Sequence, residues 1–302
     1  MKPIRALLLA TLAVGLSACT STAATPGGPE APKPVAVVAS TDVYGDIVKV
    51  IGGDAVSVTS IIDDPDKDPH EYEANAQTQL AVSKARLVVE NGGGYDDFVD
   101  TMLSSAATKP TVVNVADLSG YDQEPASGEF NEHLWYDFPT MTKLAGRLSA
   151  DLAAAAPEQA ATFTANAKTF TDQLQRMEQS EAAIKKDHAG EGVAITEPVP
   201  LYLLAAAGLD NLTPEAFSEA VEEGTDVAPA VLKQTTDLFD TQRVKLLAYN
   251  SQTSGPQTET VLAAARKNSV AVIPVTETLP TGQTYLTWMQ GYLDAVSAAL
   301  AD

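Results

Sequence analysis

Short apolar runs rich in β-branched residues alternate along this chain with segments of helical period, and the whole alternation occurs twice. In the first round, residues 35–39, 55–62, 87–90 and 112–115 read as strands, and residues 42–50, 74–84 and 96–105 as helices. Strand runs without polar alternation suit strands buried on both faces, the condition of a parallel sheet covered by helices. Gly52-Gly53 stops the first helix, and Asn91-Gly92-Gly93-Gly94 turns the chain into a later one. The second round places strands at residues 193–196, 244–249 and 270–275, and helices at residues 199–207, 228–238, 258–267 and 285–300.

Between the two rounds the pattern becomes purely helical. Residues 140–154 are amphipathic, Pro157 opens a further helix, and small or apolar residues continue at helical spacing to about residue 186. A helix of that length spans about 40 Å. The expected fold class is therefore α/β, with two lobes, each a mostly parallel sheet flanked by helices, joined by one long rigid helix. Residues 35–139 form the N-terminal lobe, residues 140–187 the helical segment with the linker helix, and residues 188–302 the C-terminal lobe. Binding loops are expected at the strand carboxyl ends, facing a cleft.

Residues 1–18 read as an export signal: Lys2 and Arg5 precede an apolar run over residues 6–16 that is too short to span a bilayer. The run ends in Leu16-Ser17-Ala18-Cys19, which resembles a bacterial lipoprotein cleavage box, and Cys19 is the only cysteine of the chain. A lone cysteine also suits a buried core, but its place directly behind an export signal favours lipidation. Residues 19–34 are dense in Pro, Gly, Ser and Thr, the composition of a disordered tether. The expected location is the cell membrane, lipid-anchored on its extracytoplasmic face. A net charge of -21 argues against nucleic acid as a partner, since its phosphates would be repelled. The same acidity attracts cations, although it more often serves solubility.

Histidine is almost absent: the chain has 3. Two of them, His70 in Asp-Pro-His-Glu-Tyr-Glu and His133 in Asn-Glu-His-Leu-Trp-Tyr-Asp, sit where carboxylate-rich loops meet ordered segments. Glu197 follows the strand at 193–196 directly, and Glu277 follows the strand at 270–275 by one residue. Ligands so dispersed converge only if strand ends of both lobes face one cleft. Two imidazoles and two carboxylates then suit Zn2+ or Mn2+. The remaining His188 looks like a helix C-terminal residue interacting with the dipole.

The body of the chain resembles the zinc/manganese-type metal-binding lipoproteins of bacterial ABC importers, a family that includes proteins first described as streptococcal adhesins. The resemblance rests on Asp68-Pro69-His70-Glu71-Tyr72-Glu73, Asn91-Gly92-Gly93-Gly94-Tyr95, Asn131-Glu132-His133-Leu134-Trp135-Tyr136-Asp137, Glu197 with residues 202–209, and Val275-Thr276-Glu277-Thr278 before Tyr285-Leu286-Thr287-Trp288-Met289. It implies that His70 and His133 are nitrogen ligands. The third ligand of the family is histidine in many zinc members and glutamate in several manganese members, and here it is Glu197. The fourth is usually aspartate, where this chain has Glu277, one methylene longer. The acidic loop at residues 63–68 lacks the extra histidines of many zinc importers. Asn250 stands where the family often has glutamate, and Asn250 and Gln252 read either as donors behind the ligands or as turn residues.

The function so implied is capture of Zn2+ or Mn2+ as a transported ligand and its delivery to the ABC permease of the same importer, by a monomer that is not an enzyme. A surface adhesin is an open alternative. A zinc-dependent hydrolase has less support, because no His-Glu-x-x-His pair or nucleophile turn is present. An EF-hand at Asp64, Asp66 and Asp68 fails, since Pro69 occupies the glycine position and Asn75 the bidentate glutamate position.

Overall fold

Strand β1, Val35–Thr41, is buried along nearly its whole length, so it needs cover on both faces and a neighbour on both edges. It finds β2, Val56–Ile62, on one side and β3, Leu87–Glu90, on the other, both parallel. Strand β4, Thr111–Asn114, completes a sheet of order β2-β1-β3-β4. The crossovers are α1 (Asp42–Gly52), α2 (Ala76–Lys84) and α3 (Asp97–Ser105). The computed structural model describes residues 33–64, 72 and 74–301. The signal segment, Cys19, nearly all of the tether and His70 lie outside the described residues.

A second parallel sheet repeats the same order. It consists of β5 (Gly192–Ile195), β6 (Asp210–Asn211), β7 (Leu246–Asn250) and β8 (Ala271–Val275), arranged β6-β5-β7-β8. In this order successive crossovers leave β1, and likewise β5, towards opposite edges of the sheet. That opens a crevice at the strand carboxyl ends between β1 and β3 and between β5 and β7. The loops that follow β1, β3, β5 and β7 flank those crevices and are placed to build a site.

Helix α4 (Val115–Ser119) leads into a long loop, then α5 (Phe138–Ala155) and α6 (Ala160–His188). At 29 residues α6 runs without a break. It packs on α1, on α5, on α7 (Leu201–Ala206) and on the final helix, α11 (Tyr285–Ala301). Its buried residues, Phe163, Ala167, Phe170, Leu174, Met177, Glu181 and Ile184, recur every three or four positions and form one seam. The core is continuous across both sheets: Val37, Trp135, Phe138, Phe170, Ile195, Ala248 and Val296 belong to one packed cluster. Parting the two sheets widely would expose that shared packing to water, which disfavours a wide hinge.

Glu181 is the only acid in the seam of α6, and it is 5% exposed. Burial, then the charges of Glu178 and Asp137, push its carboxyl up to about 8. The neutral form is thus favoured in the folded state, so its support is present below the ordinary carboxylate range and is lost as pH rises through about 8. Glu181→Leu should gain roughly 2–4 kcal/mol over the parent at pH 9 and much less at pH 5. Denaturant melts at the two pH values check this, and an equal effect at both would refute the assignment.

The helices outline the limits of sequence periodicity. Helix α2 starts two residues later than the pattern suggests because Asn75 caps it, accepting from the backbone N–H groups of Gln77 and Thr78. Helix α7 starts at Leu201 rather than residue 199, after a turn containing Pro198 and Pro200, which have no N–H to donate. Helix α8 (Glu215–Glu222) and strand β6 occupy a stretch that periodicity leaves unassigned; α9 (Pro229–Asp240) and α10 (Pro256–Lys267) then complete the second half. Among the described residues, no helix is long and apolar enough to cross a membrane.

Candidate metal centre

The turn after β3 needs its glycines. Gly92, Gly93 and Gly94 have φ of 73°, 66° and 95°, and a Cβ on Gly93 would meet the Phe130 ring at 2.3 Å. Both oxygens of Asp96 accept from this turn, from the N–H of Asn91 at 2.6 Å and of Gly92 at 2.8 Å. The Asn91 amide, held by the hydroxyl of Tyr44, donates to the carbonyl of Glu132 at 3.0 Å. The glycine turn thereby fixes the backbone next to His133.

His133 is fully buried and leads a single 3-10 turn, Leu134–Tyr136. Its Nδ1 lies 2.8 Å from Asn131 Oδ1, which also accepts from the His133 N–H at 3.1 Å. The amide of Asn131 is oriented by donating its other end to the carbonyl of Pro198 at 3.1 Å. With the oxygen so assigned, Nδ1 carries the proton and Nε2 presents its lone pair, the tautomer a metal ion requires. Trp135 and Tyr95 pack against the ring, with centroids 5.1 Å and 6.1 Å away. Asn131 therefore links the histidine to the loop after β5, which carries Glu197.

Glu277 and Glu197 are 1% and 2% exposed, an extreme burial for carboxylates. Glu277 Oε2 lies 3.9 Å from His133 Nε2. Its Oε1 accepts from Asn250 Nδ2 at 3.0 Å and its Oε2 from the Tyr95 hydroxyl at 3.4 Å. Gln252 Oε1 accepts from the Glu277 N–H at 2.5 Å, and Gln252 Nε2 donates to Thr278 Oγ1 at 2.8 Å. Asn250 thus acts as a donor to the carboxylate, and Gln252 as an acceptor for the backbone behind it. Glu197 Oε2 accepts from Thr253 Oγ1 at 2.5 Å. The end of β7 and the loop after it thus bridge the loop after β5, through Thr253, and the loop after β8, through Asn250 and Gln252.

The loop bearing Glu277 is also tied to the first half of the chain. Tyr136 donates to the carbonyl of Thr276 at 3.1 Å, Asp42 accepts from the Leu279 N–H at 3.0 Å, and Asp46 accepts from the Tyr285 N–H at 2.8 Å. Burial pushes Tyr95 and Tyr136 well above the ordinary phenol range, and the charge of Glu277 adds to it in both. Both phenols therefore stay protonated and act as donors.

Two further acids meet His133. Glu132, His133 and Glu222 each offer one ligand atom, and these atoms lie within 4.8 Å of one another. Glu222 Oε1 is 3.6 Å from His133 Nε2. Burial raises Glu132 to about 7, and burial followed by the charges of Glu132, Glu197 and Glu277 raises Glu222 to about 10. A cavity of about 600 Å³ adjoins them, its wall carrying Glu129, Glu132, Glu215, Glu219, Glu222 and Glu223. Sequence reasoning passed over Glu132 and Glu222 as metal-facing residues. The available signal was the spacing of Glu215, Glu219 and Glu222, which puts three acids on one helix face once α8 is recognised.

Of the four residues singled out from sequence, His133 and Glu277 face each other across 3.9 Å, Glu197 is buried on the loop after β5 beside Thr253, and His70 lies outside the described residues. His188 lies elsewhere, at the end of α6, 3.2 Å from Glu191. Imidazole nitrogen with several carboxylates is a donor set that suits Zn2+ or Mn2+.

The model of the periplasmic zinc-uptake complex component A family matches residues 37–299. The manganese ABC transporter substrate-binding lipoprotein of Streptococcus gordonii is 25% identical over 320 residues, covering 100% of each chain. Among solved structures, a laminin-binding adhesin from Streptococcus agalactiae superposes with a TM-score of 0.73 at 20% identity, over 88% of this chain and 99% of that one. A manganese-bound periplasmic metal-binding protein from Candidatus Liberibacter asiaticus gives 0.70 at 18% identity, over 87% and 98%.

Proposed function

Because this chain belongs to the periplasmic zinc-uptake complex component A family, we propose that it captures Zn2+ or Mn2+ outside the cytoplasmic membrane and hands the ion to an ABC permease. The family is one of substrate-binding transport proteins. The observation that carries the reading is the burial of His133 beside Glu277, with Glu197 at the neighbouring strand end. His70, His133, Glu197 and Glu277 are the proposed ligands. Residues 35–139 and 188–302 act as the two lobes, and Cys19 carries the lipid that holds a monomer on the extracytoplasmic face.

The chemistry follows from the donors. An imidazole with its Nδ1 proton held by Asn131 gives Nε2 to the ion, and ionised carboxylates neutralise the cation. Tyr95 and Asn250 keep Glu277 in place before the ion arrives, which lowers the ordering cost of binding. Nitrogen and oxygen sites bind Zn2+ more tightly than Mn2+ in general, so affinity alone does not identify the physiological ion. The glutamates harden the site and favour Mn2+ relative to an all-histidine one.

Capture must also displace protons. In the metal-free protein Glu132 and Glu222 are raised to about 7 and about 10, so the region holds roughly one proton or more at neutral pH. A divalent cation nearby lowers both and expels protons. Without metal, the contribution of these acids to stability is present at low pH and lost as pH rises from the ordinary carboxylate range through about 7 and beyond. Titration calorimetry at pH 7 in buffers of different ionisation enthalpy should show one ion bound, release of about one proton, and affinity that rises from pH 6 to pH 8. No saturable binding of either ion would overturn the function, and binding without proton release would remove these acids from the neighbourhood of the ion.

A further inference from the structure

Glu222 occupies a place that is hard to explain by folding alone. It is the last residue of α8, where the negative end of the helix dipole disfavours a carboxylate. Its Oε1 is withdrawn from solvent and accepts no hydrogen bond from the described residues. At 3.6 Å, His133 Nε2 is beyond hydrogen-bond distance, and the Asn131 contact makes that nitrogen a lone-pair donor to metals rather than a proton donor. A desolvated carboxyl group among acids can ionise only at high cost unless a cation stands with it, and without one it keeps its proton.

From this geometry we propose that Glu222 is a ligand of the transported cation, joining His133 from the side of the acidic cavity. The inference rests on the metal-capture reading above and adds a residue to it. It also gives the cavity a role: Glu215, Glu219 and Glu222 lie along one face of α8, so a cation entering the cavity passes carboxylates before it meets the buried imidazole. Glu222 is the last of them and the one within coordination range. A carboxylate that reaches the ion from the entry side can take hold while the ion still carries water, then stay bound as the deeper ligands close. The donor set becomes richer in oxygen, which favours Mn2+ relative to Zn2+.

The test uses the full chain with Mn2+, Zn2+ and Co2+ as probes against a competing chromogenic chelator. Glu222→Gln keeps size and shape, and should lower affinity by about 10–100-fold, with the larger loss for Mn2+. It should also change the visible d–d spectrum of the Co2+ form, which a remote charge does not do. Glu219→Gln, on the same cavity wall, should lower affinity by less than about fivefold and leave that spectrum as it was. Equal losses in the two variants, with an unchanged spectrum, would make Glu222 a contributor of field only and overturn the assignment. Unchanged affinity in Glu222→Gln while His133→Ala abolishes binding would overturn it too, leaving the function standing. Unchanged affinity in both variants would place the ion elsewhere and overturn the assignment, whereas no saturable binding of any of the three ions by the parent chain would overturn the metal-capture reading itself. A thermal melt of metal-free Glu222→Gln at or above the parent value establishes that the variant is folded.

Discussion

His133→Ala should lower the affinity for Zn2+ or Mn2+ by roughly two to three decades. Structural four-ligand zinc sites bind with roughly 10–16 kcal/mol, so one ligand contributes about 3–4 kcal/mol. The loss should be at the upper end here because the imidazole is set in advance: its tautomer is chosen by Asn131, its ring is packed by Trp135 and Tyr95, and its backbone is tied through Asn91. The substitution leaves a void beside Trp135, so the near-UV spectrum and melt of the metal-free variant must accompany the titration. A folded variant that binds as tightly as the parent would remove His133 from the site.

Glu277→Gln should cost about two decades while leaving the fold nearly untouched. The amide keeps the shape, and its oxygen can still accept from Asn250 or Tyr95, but the charge that faces the ion is gone. One hydrogen-bond partner becomes mismatched, a change of about 1 kcal/mol in stability. The Glu277→Asp variant separates length from charge. Aspartate withdraws the carboxylate by one methylene from His133, already 3.9 Å away, and from Asn250, so affinity should fall by about tenfold although the charge is kept. If the aspartate variant binds at least as tightly as the parent, the frame of Asn250, Gln252 and Tyr95 is not built for glutamate. Direct titration of the three proteins with Mn2+ decides it.

The central strands were legible because strands buried on both faces carry nearly continuous apolar runs. Val37, Val38 and Ala39, or Leu246, Leu247 and Ala248, read as strand without knowledge of their neighbours. The long helix was legible for a related reason, since its buried positions keep their period from Phe163 to Ile184. Helix α8 was less so: it has only 8 residues, with no side-chain cap and a narrow apolar face. Strand β6 has 2 residues and exists because β5 lends it an edge. Local periodicity carries no record of such long-range support.

The centre divides in the same way. His133 stood out because histidine is rare in this chain, and Glu197 and Glu277 because each follows a strand end. What sequence reasoning did not show was how they are held. The route from Pro198 through Asn131 to His133, and the clasp of Asn250 and Gln252 on Glu277, join residues far apart in the chain. Glu222 was hidden for both reasons at once, lying on an unassigned helix and facing a histidine 89 positions away (222 − 133).

Crystals grown with one equivalent of Mn2+ and measured on both sides of the manganese absorption edge test the central claim most directly. The account predicts one strong anomalous peak about 2.0–2.3 Å from His133 Nε2, with carboxylate oxygens of Glu197 and Glu277 within bonding distance of it. A peak held by other residues, with His133 and Glu277 away from it, would contradict the account.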